Sequence, residues 1–146
     1  MRVLGIDYGA RRIGLALSDA TGTLASPWRL VERPASERET LRLVEEIVDA
    51  LRGEDDGLAA IVLGWPRRLD GSPTHQTPLV EAFRSALSER TGLDVVLQDE
   101  RLSSHAAEER LTERGVRDWR ERKKKLDAAA AAVILQDYLD TRVTAR

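Results

Sequence analysis

The order of the hydrophobic patterns constrains the fold of this chain more than any other feature of its sequence. Three short segments typical of β-strands, Val3 to Asp7, Ile13 to Ser18 and Thr23 to Val31, follow one another across tight turns. Because connections this short join antiparallel neighbours, the chain is predicted to open with a three-stranded meander. Pro27 cannot donate a ladder hydrogen bond, so part of the third strand is expected to be an edge or a bulge.

After the meander, helical and strand patterns alternate. A capping box of Ser36 and Glu39 precedes apolar residues at helical spacing, and Gly53 is expected to end that helix. The later segments are, in order, a strand Leu58 to Leu63, a helix of about Pro78 to Arg90, a strand Leu93 to Leu97, and helices Ser103 to Arg114 and roughly Leu126 to Leu139. This order predicts an α/β fold with a five-stranded mixed sheet, three antiparallel strands plus two parallel ones, and helices on both faces.

Composition narrows the class of protein. The 146 residues suit one domain, 1–146, and 42% hydrophobic with 33% charged residues is a globular composition. The formal net charge of −2 provides no overall field to attract nucleic acid, so any phosphate-binding surface has to be local. The absence of cysteine excludes thiolate zinc sites and cysteine nucleophiles. The N-terminus has neither a signal-peptide stretch nor a membrane span, so a cytoplasmic protein without membrane association is expected.

Three acidic residues fall where the predicted fold can bring them together. Asp7 ends the first strand, and Asp99 and Glu100 follow a parallel strand immediately, with at most one of them facing the same side as Asp7. Asp127 begins the last predicted helix, and the five alanines after it allow that helix to approach the sheet closely. The pattern therefore predicts Asp7, Asp127 and one of the two acids Asp99 and Glu100 at one rim of the sheet.

Each acid also has a structural explanation that the sequence leaves open. Asp7 suits the turn that contains Gly9, Glu100 suits an ion pair with Arg101, and Asp127 suits a favourable charge at a helix N-terminus. Convergence of all three would favour an oxygen-ligand site for Mg²⁺ or Mn²⁺. Two such ions, about 3.5–4 Å apart, could activate water and align a phosphodiester for in-line hydrolysis.

Basic residues cluster near these acids. Residues 114–125 hold seven basic and two acidic side chains just before Asp127, a run that is otherwise typical of a solvated loop. Trp119 within the run favours nucleic-acid binding, since an aromatic ring can stack on a base. The predicted nucleic-acid contacts are Arg11, Arg12, Arg67, Arg68, Trp119, Arg122, Lys123, Lys124 and Lys125.

Several short motifs together resemble the YqgF-like proteins, also called the RuvX family. The opening Gly5-Ile6-Asp7-Tyr8-Gly9 with Arg12-Ile13-Gly14 is similar to that of the family. Further matches are Gly64-Trp65-Pro66 with Asp70-Gly71-Ser72, Asp99-Glu100-Arg101-Leu102, and Lys124 to Asp127 with Ala130-Ala131. The motifs cover nearly the whole chain, and their order is specific although the opening alone also occurs in sugar kinases.

The resemblance implies a ribonuclease H-like fold, a cytoplasmic protein, and either a Holliday junction resolvase or a nuclease that matures the 5′ end of precursor 16S ribosomal RNA. It also implies that the acidic site falls on Asp7, Glu100 and Asp127. Two residues differ from the expected pattern: Trp65 stands where a smaller apolar residue is usual, and Ala130 stands where RuvC-type resolvases have a further acid. The second difference weakens the expectation of RuvC-type junction cleavage.

These features suggest four candidate functions. The first is a metal-dependent nuclease acting on structured RNA, and the second is a resolvase acting on four-way DNA, which would need a symmetric dimer. The third is a nucleic-acid-binding module without turnover. The fourth, an ATP-binding phosphotransferase, conflicts with the length of the chain. The oligomeric state stays open between a monomer and a homodimer.

Overall fold

A five-stranded mixed sheet lies between helices that pack on its two faces. The computed structural model describes the backbone of residues 1–100 and 119–144, and the side chains of residues 1–100 and 128–142. The strands are β1 (Arg2–Tyr8), β2 (Arg12–Ser18), β3 (Ala25–Glu32), β4 (Leu58–Trp65) and β5 (Val95–Asp99). The helices of the described chain are α1 (Glu37–Arg52), α2 (Thr77–Thr91) and α3 (Trp119–Thr144).

The strand order is β3-β2-β1-β4-β5. The β1–β2 and β2–β3 pairs are antiparallel, whereas β4 and β5 extend the sheet in parallel from β1. This topology confirms the predicted combination of a meander with two parallel strands. It also brings the carboxyl ends of β1, β4 and β5 to one edge of the sheet, where ligands of α/β proteins commonly bind.

Strand β3 shows both features expected from Pro27. It forms one outer edge of the sheet, so the missing N–H of Pro27 costs no strand pairing. The register shifts where Leu15 pairs with Arg29 and Ala16 pairs with Pro27, which leaves Trp28 as the extra residue of a bulge.

Helix α1 begins and ends at the predicted residues. The Ser36 hydroxyl accepts a hydrogen bond from the Glu39 backbone N–H at 3.1 Å, which satisfies one of the free donors of the first turn. At the other end, the Gly53 N–H donates to the carbonyl of Asp49. Between these caps, the apolar stripe of α1 faces the sheet and is buried.

The hydrophobic residues form two cores, one on each face of the sheet. Alternate residues of β1, including Leu4 and Ile6, join α1 and α2 on the first face. Val3 of β1 belongs to the second core, together with Val62 of β4 and the apolar residues of α3. Because side chains alternate along a strand, Gly5 and Asp7 lie on the α3 face with Val3.

The prediction for the last helix is wrong at its N-terminal end. Helix α3 begins at Trp119, not at about Leu126, so residues 119–125 are helical where a basic connection was expected. The reason is that Arg, Lys, Glu and Leu are strong helix formers, and no glycine or proline interrupts residues 119–144. The helix predicted from Ser103 to Arg114 lies outside the described residues. Within the described ranges, no helix is both long and apolar enough to span a membrane.

Helix α3 approaches the sheet closely at Gly5. A Cβ atom added to Gly5 would lie 2.8 Å from Leu135 Cβ and 3.2 Å from the Ala131 carbonyl oxygen. Neither atom is the end of a flexible side chain, so the contact cannot relax locally. The helix and the strand can therefore lie this close because the α3 residues here include alanines and the β1 residue is glycine.

We expect Gly5→Ala to destabilise the fold by about 1–3 kcal/mol, because the added methyl group overpacks a rigid contact. Urea unfolding of the two proteins measures the difference. Gly53→Ala is the matched control, since its added Cβ would meet nothing closer than 3.5 Å and its φ of −76° suits alanine. Equal stability of Gly5→Ala and the unmodified protein would contradict the packing described for α3.

Candidate metal and nucleic-acid site

Asp7 lies near the end of β1, on the sheet face that α3 covers. In the antiparallel register, Asp7 pairs with Gly14 of β2. On the other side, Ile6 pairs with Leu63, so Gly64 of β4 follows beside Asp7. Asp7 therefore has a glycine in each neighbouring strand, and no side chain projects from either of them into the space around its carboxyl group.

Glu100 enters the same space from β5. Its backbone N–H donates a hydrogen bond of 3.3 Å to the Trp65 carbonyl, which fixes the first residue after the strand. Its carboxyl group lies over Gly64, where an added Cβ would overlap Glu100 Oε2 and lie 2.9 Å from Ile134 Cδ1. Only glycine at position 64 leaves room for the Glu100 carboxyl group in this position.

The carboxyl groups of Asp7 and Glu100 contact each other directly. Burial raises the pKa of Glu100 from 4.5 to about 8, with further contributions, in order, from the charge of Asp7, a side-chain hydrogen bond to Asp7 and the charge of Asp99. The hydrogen bond acts in this direction because the neutral Glu100 carboxyl is the donor. Two carboxylates held this closely repel each other when both are ionised, so a proton or a cation stabilises the pair.

The third predicted acid, Asp127, belongs to helix α3. Asp127 lies one helical turn before Ala131, whose carbonyl approaches Gly5. Since α3 begins at Trp119, Asp127 lies well inside the helix, and the explanation of Asp127 as a charge at a helix N-terminus does not apply. The side chain of Asp127 is outside the described side chains.

The donor chemistry of the pair fits a hard divalent cation. Carboxylate oxygens are the ligands that Mg²⁺ and Mn²⁺ prefer, and a cation would offset the burial of the Glu100 charge and its repulsion by Asp7, which together raise the pKa of Glu100. Among the side chains of residues 1–100 and 128–142, no three acidic or histidine residues form a metal-binding group. The described part of the site is therefore a pair of carboxyl groups, to which Asp127 is the predicted third member.

The predicted basic contacts of residues 1–100 differ in their surroundings. Arg11 is exposed in the β1–β2 turn, and Arg12 begins β2 and is half-buried. Arg68 is exposed in the connection after β4. In contrast, the Arg67 guanidinium group donates to the Gly71 carbonyl and stacks 4.3 Å from the centre of the Trp65 ring.

The other predicted basic contacts belong to the first turns of α3. Trp119, Arg122, Lys123, Lys124 and Lys125 have helical backbones, and their side chains are outside the described set. The run leads directly into Asp127 along the same helix.

Arg33 holds the β1–β2 turn through contacts that no sequence pattern indicated. Its guanidinium group donates to the Gly9 carbonyl at 3.2 Å and to Glu37 at 2.9 Å, and it stacks 4.3 Å from the centre of the Tyr8 ring. These contacts join the end of β1 to the start of α1. They fix the backbone that follows Asp7, and only the fold brings the partners together.

The strand order and the layers of helices define a ribonuclease H-like fold. RuvC of Thermus thermophilus in complex with a Holliday junction substrate has this fold, with a TM-score of 0.55 and 18% identity over 98% of this chain and 96% of that one. The fowlpox virus Holliday junction resolvase is similar, with a TM-score of 0.56 and 12% identity over 97% and 99% of the two chains. These likenesses confirm the predicted fold.

The chain belongs to the RuvX family. The family model described as "RuvX: Holliday junction resolvase" matches residues 1–141. A protein of Maridesulfovibrio salexigens is 42% identical over 139 residues, which cover 95% of this chain and 98% of that protein. A protein of Anaeromyxobacter sp. (strain Fw109-5) is 42% identical over 142 residues, covering 97% and 98%. Both are named "Putative pre-16S rRNA nuclease". The family resemblance of the sequence motifs is thereby confirmed.

The raised pKa of Glu100 predicts how stability depends on pH in the metal-free protein. Between about pH 4.5 and 8 the folded state keeps a proton that the unfolded state has released, so stability falls as pH rises through this range. Glu100→Gln cannot ionise, and we expect it to exceed the unmodified protein in stability at pH 9 by on the order of 2 kcal/mol.

Urea unfolding in the presence of a chelator at pH 5 and pH 9 measures this effect. Asp94→Asn is the control, since Asp94 is an exposed acid just before β5. If Glu100→Gln keeps the full pH dependence of the unmodified protein, Glu100 is not the group responsible.

Proposed function

We propose that residues 1–146 form one cytoplasmic nuclease domain that hydrolyses phosphodiester bonds with Mg²⁺ or Mn²⁺ held by Asp7, Glu100 and Asp127. Its substrate is structured nucleic acid, and the preferred reaction is processing of the 5′ end of precursor 16S ribosomal RNA. The observation that carries the proposal is the contact between the carboxyl groups of Asp7 and Glu100 over Gly64.

A purely structural role does not account for this carboxyl pair. Placing two acids together in a half-buried position costs stability unless a proton or cation compensates their charge. The glycine in each strand beside Asp7 places no side chain against its carboxyl group, and Gly64 leaves the room that the Glu100 carboxyl group occupies. A divalent cation between the two groups accounts for both features.

The course of α3 supports Asp127 as the third ligand. Val3 and Leu139 line one cavity near the amino end of β1, whereas Gly5 meets Ala131 and Leu135. Helix α3 therefore runs antiparallel to β1, and the turn before Ala131 extends toward the end of β1. One helical turn rises about 5.4 Å and two strand residues about 6.6 Å, so we expect the turn that precedes Ala131, which contains Asp127, to approach the level of Asp7.

Two bound ions would supply Lewis-acid stabilisation of the charge that develops on the phosphoryl group during in-line hydrolysis. The residues of the chain hold the reacting groups. Asp7 is fixed by the β1 ladder, and Glu100 is fixed by the hydrogen bond of its backbone to Trp65. This anchoring keeps the two carboxyl groups in place before substrate binds, which reduces the cost of orienting them.

The basic residues around the site would hold the nucleic-acid backbone. Arg11 follows β1 and Arg68 follows β4, and both side chains are exposed, whereas Arg12 begins β2 and is half-buried. All three belong to the edge of the sheet where β1 and β4 end. The first turns of α3 would add Trp119, Arg122 and Lys123 to Lys125, ahead of Asp127. Because the formal net charge is −2, this local set would provide the phosphate affinity that the whole protein lacks.

The choice of substrate rests on the relatives. Proteins 42% identical over nearly the full chain are named for precursor 16S ribosomal RNA, and this supports RNA processing as the first candidate. The description of the family model supports a second candidate, resolution of four-way DNA junctions. Junction resolution would need a homodimer with two sites on two strands, whereas RNA processing is compatible with a monomer.

We expect Asp7→Asn, Glu100→Gln and Asp127→Asn each to lose at least about 100-fold in metal-dependent cleavage, because each removes a charged ligand. Cleavage is measured in parallel on a precursor 16S ribosomal RNA fragment and on a four-way DNA junction, with Mg²⁺ and with Mn²⁺. Asp94→Asn is the matched control and should cleave like the unmodified protein.

Retained metal-dependent cleavage in any of the three site variants would remove that residue from the proposed ligand set. Cleavage of the junction alone, by a dimer, would favour the resolvase. If the unmodified protein binds these nucleic acids but cleaves neither with either metal, it is a binding module without turnover.

The lysines of α3 allow a separate test of substrate binding. We expect replacement of Lys123, Lys124 and Lys125 by Gln to weaken binding of nucleic acid and to reduce the slope of log affinity against log salt by up to about 3. Affinity for Mn²⁺ should stay unchanged, since no lysine is a metal ligand. An unaltered salt slope would show that these lysines do not bind phosphate.

A further inference from the structure

Arg67 lies where the ends of β4 and β5 meet the connection to α2, and its guanidinium group contacts all three. Its Nε and Nη2 atoms donate to the Gly71 carbonyl at 2.9 and 2.6 Å. Its Nη1 atom is 4.0 Å from Asp99 Oδ2. Its Cζ atom lies 4.3 Å from the centre of the Trp65 ring. The side chain is only 27% exposed.

These contacts surround the backbone of Glu100. Asp99 precedes Glu100 directly, and Trp65 accepts the hydrogen bond of the Glu100 backbone N–H. Trp65 and Asp99 are also partners in the parallel register of β4 and β5. Arg67 therefore contacts both residues that determine where the Glu100 backbone lies.

The same contacts leave Arg67 poorly placed to bind phosphate. Two of its nitrogens are committed to one carbonyl, a third faces a carboxylate, and an aromatic ring covers one face of the group. To bind a phosphate, the Arg67 guanidinium group would have to give up the contacts that hold the connection between β4 and α2.

Arg68 has the opposite surroundings. Its backbone is held, since its N–H donates to the Ser72 carbonyl and its carbonyl accepts from the Gly71 N–H. Its side chain is exposed and makes no hydrogen bond or ion pair within the part of the chain that the structure describes. In this connection, the Arg67 side chain is therefore held by protein contacts, whereas the adjacent Arg68 side chain is accessible.

We propose that Arg67 is a positioning residue that holds Glu100 for metal binding, and that Arg68 is the phosphate contact of this connection. The inference rests on the proposed function, because it assigns Glu100 to the metal. It changes the expectation from sequence, in which both arginines contact nucleic acid.

Lysine cannot replace Arg67 in this role. Stacking on Trp65 and the double hydrogen bond to Gly71 need a planar group with several donors, whereas an ammonium group supplies a point charge on a flexible stem. If Arg67 acted only as a charge near Asp99, Arg67→Lys would preserve its effect. If it positions Glu100, Arg67→Lys would lose most of the effect.

The test measures Mn²⁺ affinity and nucleic-acid binding separately in Arg67→Ala, Arg67→Lys and Arg68→Ala. We expect both Arg67 variants to bind Mn²⁺ about 10- to 100-fold more weakly, as is usual when a residue behind a metal ligand is removed. Their salt slope for binding a precursor 16S ribosomal RNA fragment should not change. Arg68→Ala should keep its Mn²⁺ affinity and lose about 1 from the salt slope.

Thermal unfolding shows whether each variant is folded. If Arg67→Ala does not fold, Arg67→Lys still tests the inference, because it keeps the charge and the apolar stem. Unchanged Mn²⁺ affinity in Arg67→Lys, or a reduced salt slope in Arg67→Ala, would overturn the inference. Glu100→Gln distinguishes an error in the proposed metal site from an error in the role of Arg67 alone. If the unmodified protein and Glu100→Gln bind Mn²⁺ equally, the metal site itself is wrong and both proposals fail. If only Glu100→Gln loses affinity, the role of Arg67 alone is wrong.

Discussion

The contact between the carboxyl groups of Asp7 and Glu100 is the constraint on which the rest of the site depends. Burial raises the pKa of Glu100, and the charge of Asp7 raises it further, so two ionised acids in this half-buried position destabilise the fold. Gly64 permits the contact, because any Cβ at that position would occupy the space of the Glu100 carboxyl group. The stability of this region therefore depends on the proton or cation that compensates the charge of the two carboxyl groups.

The sheet supplies the geometry that makes the contact possible. Asp7 and Glu100 are far apart in sequence, but β1, β4 and β5 are consecutive parallel strands, so their carboxyl ends lie side by side. Helix α3 completes the layer on the same face, and Gly5 with Ala131 sets how near it comes. Small residues therefore recur wherever the site needs backbones or carboxyl groups to lie close together.

The basic residues show why charge alone is a poor guide to role. Arg67 and Arg68 are adjacent and chemically identical, yet one packs against Trp65 and Gly71 while the other is exposed. The basic run before Asp127 was expected to be a connection because charged runs are usually solvated loops. Helix propensity favoured the other outcome, since lysine, arginine and glutamate are good helix formers and nothing in residues 119–125 ends a helix.

The sequence by itself determined the five strands, the order of antiparallel and parallel segments, helices α1 and α2 and the acidic candidates, because periodicity, caps and turn residues act locally. Only the tertiary structure decided that Glu100 rather than Asp99 joins Asp7, that Gly64 makes the space, and that Arg67 and Arg33 hold the strand ends. These facts depend on which strands are neighbours and on the register between them, and no local pattern in the chain encodes a distance between residues that only folding brings together.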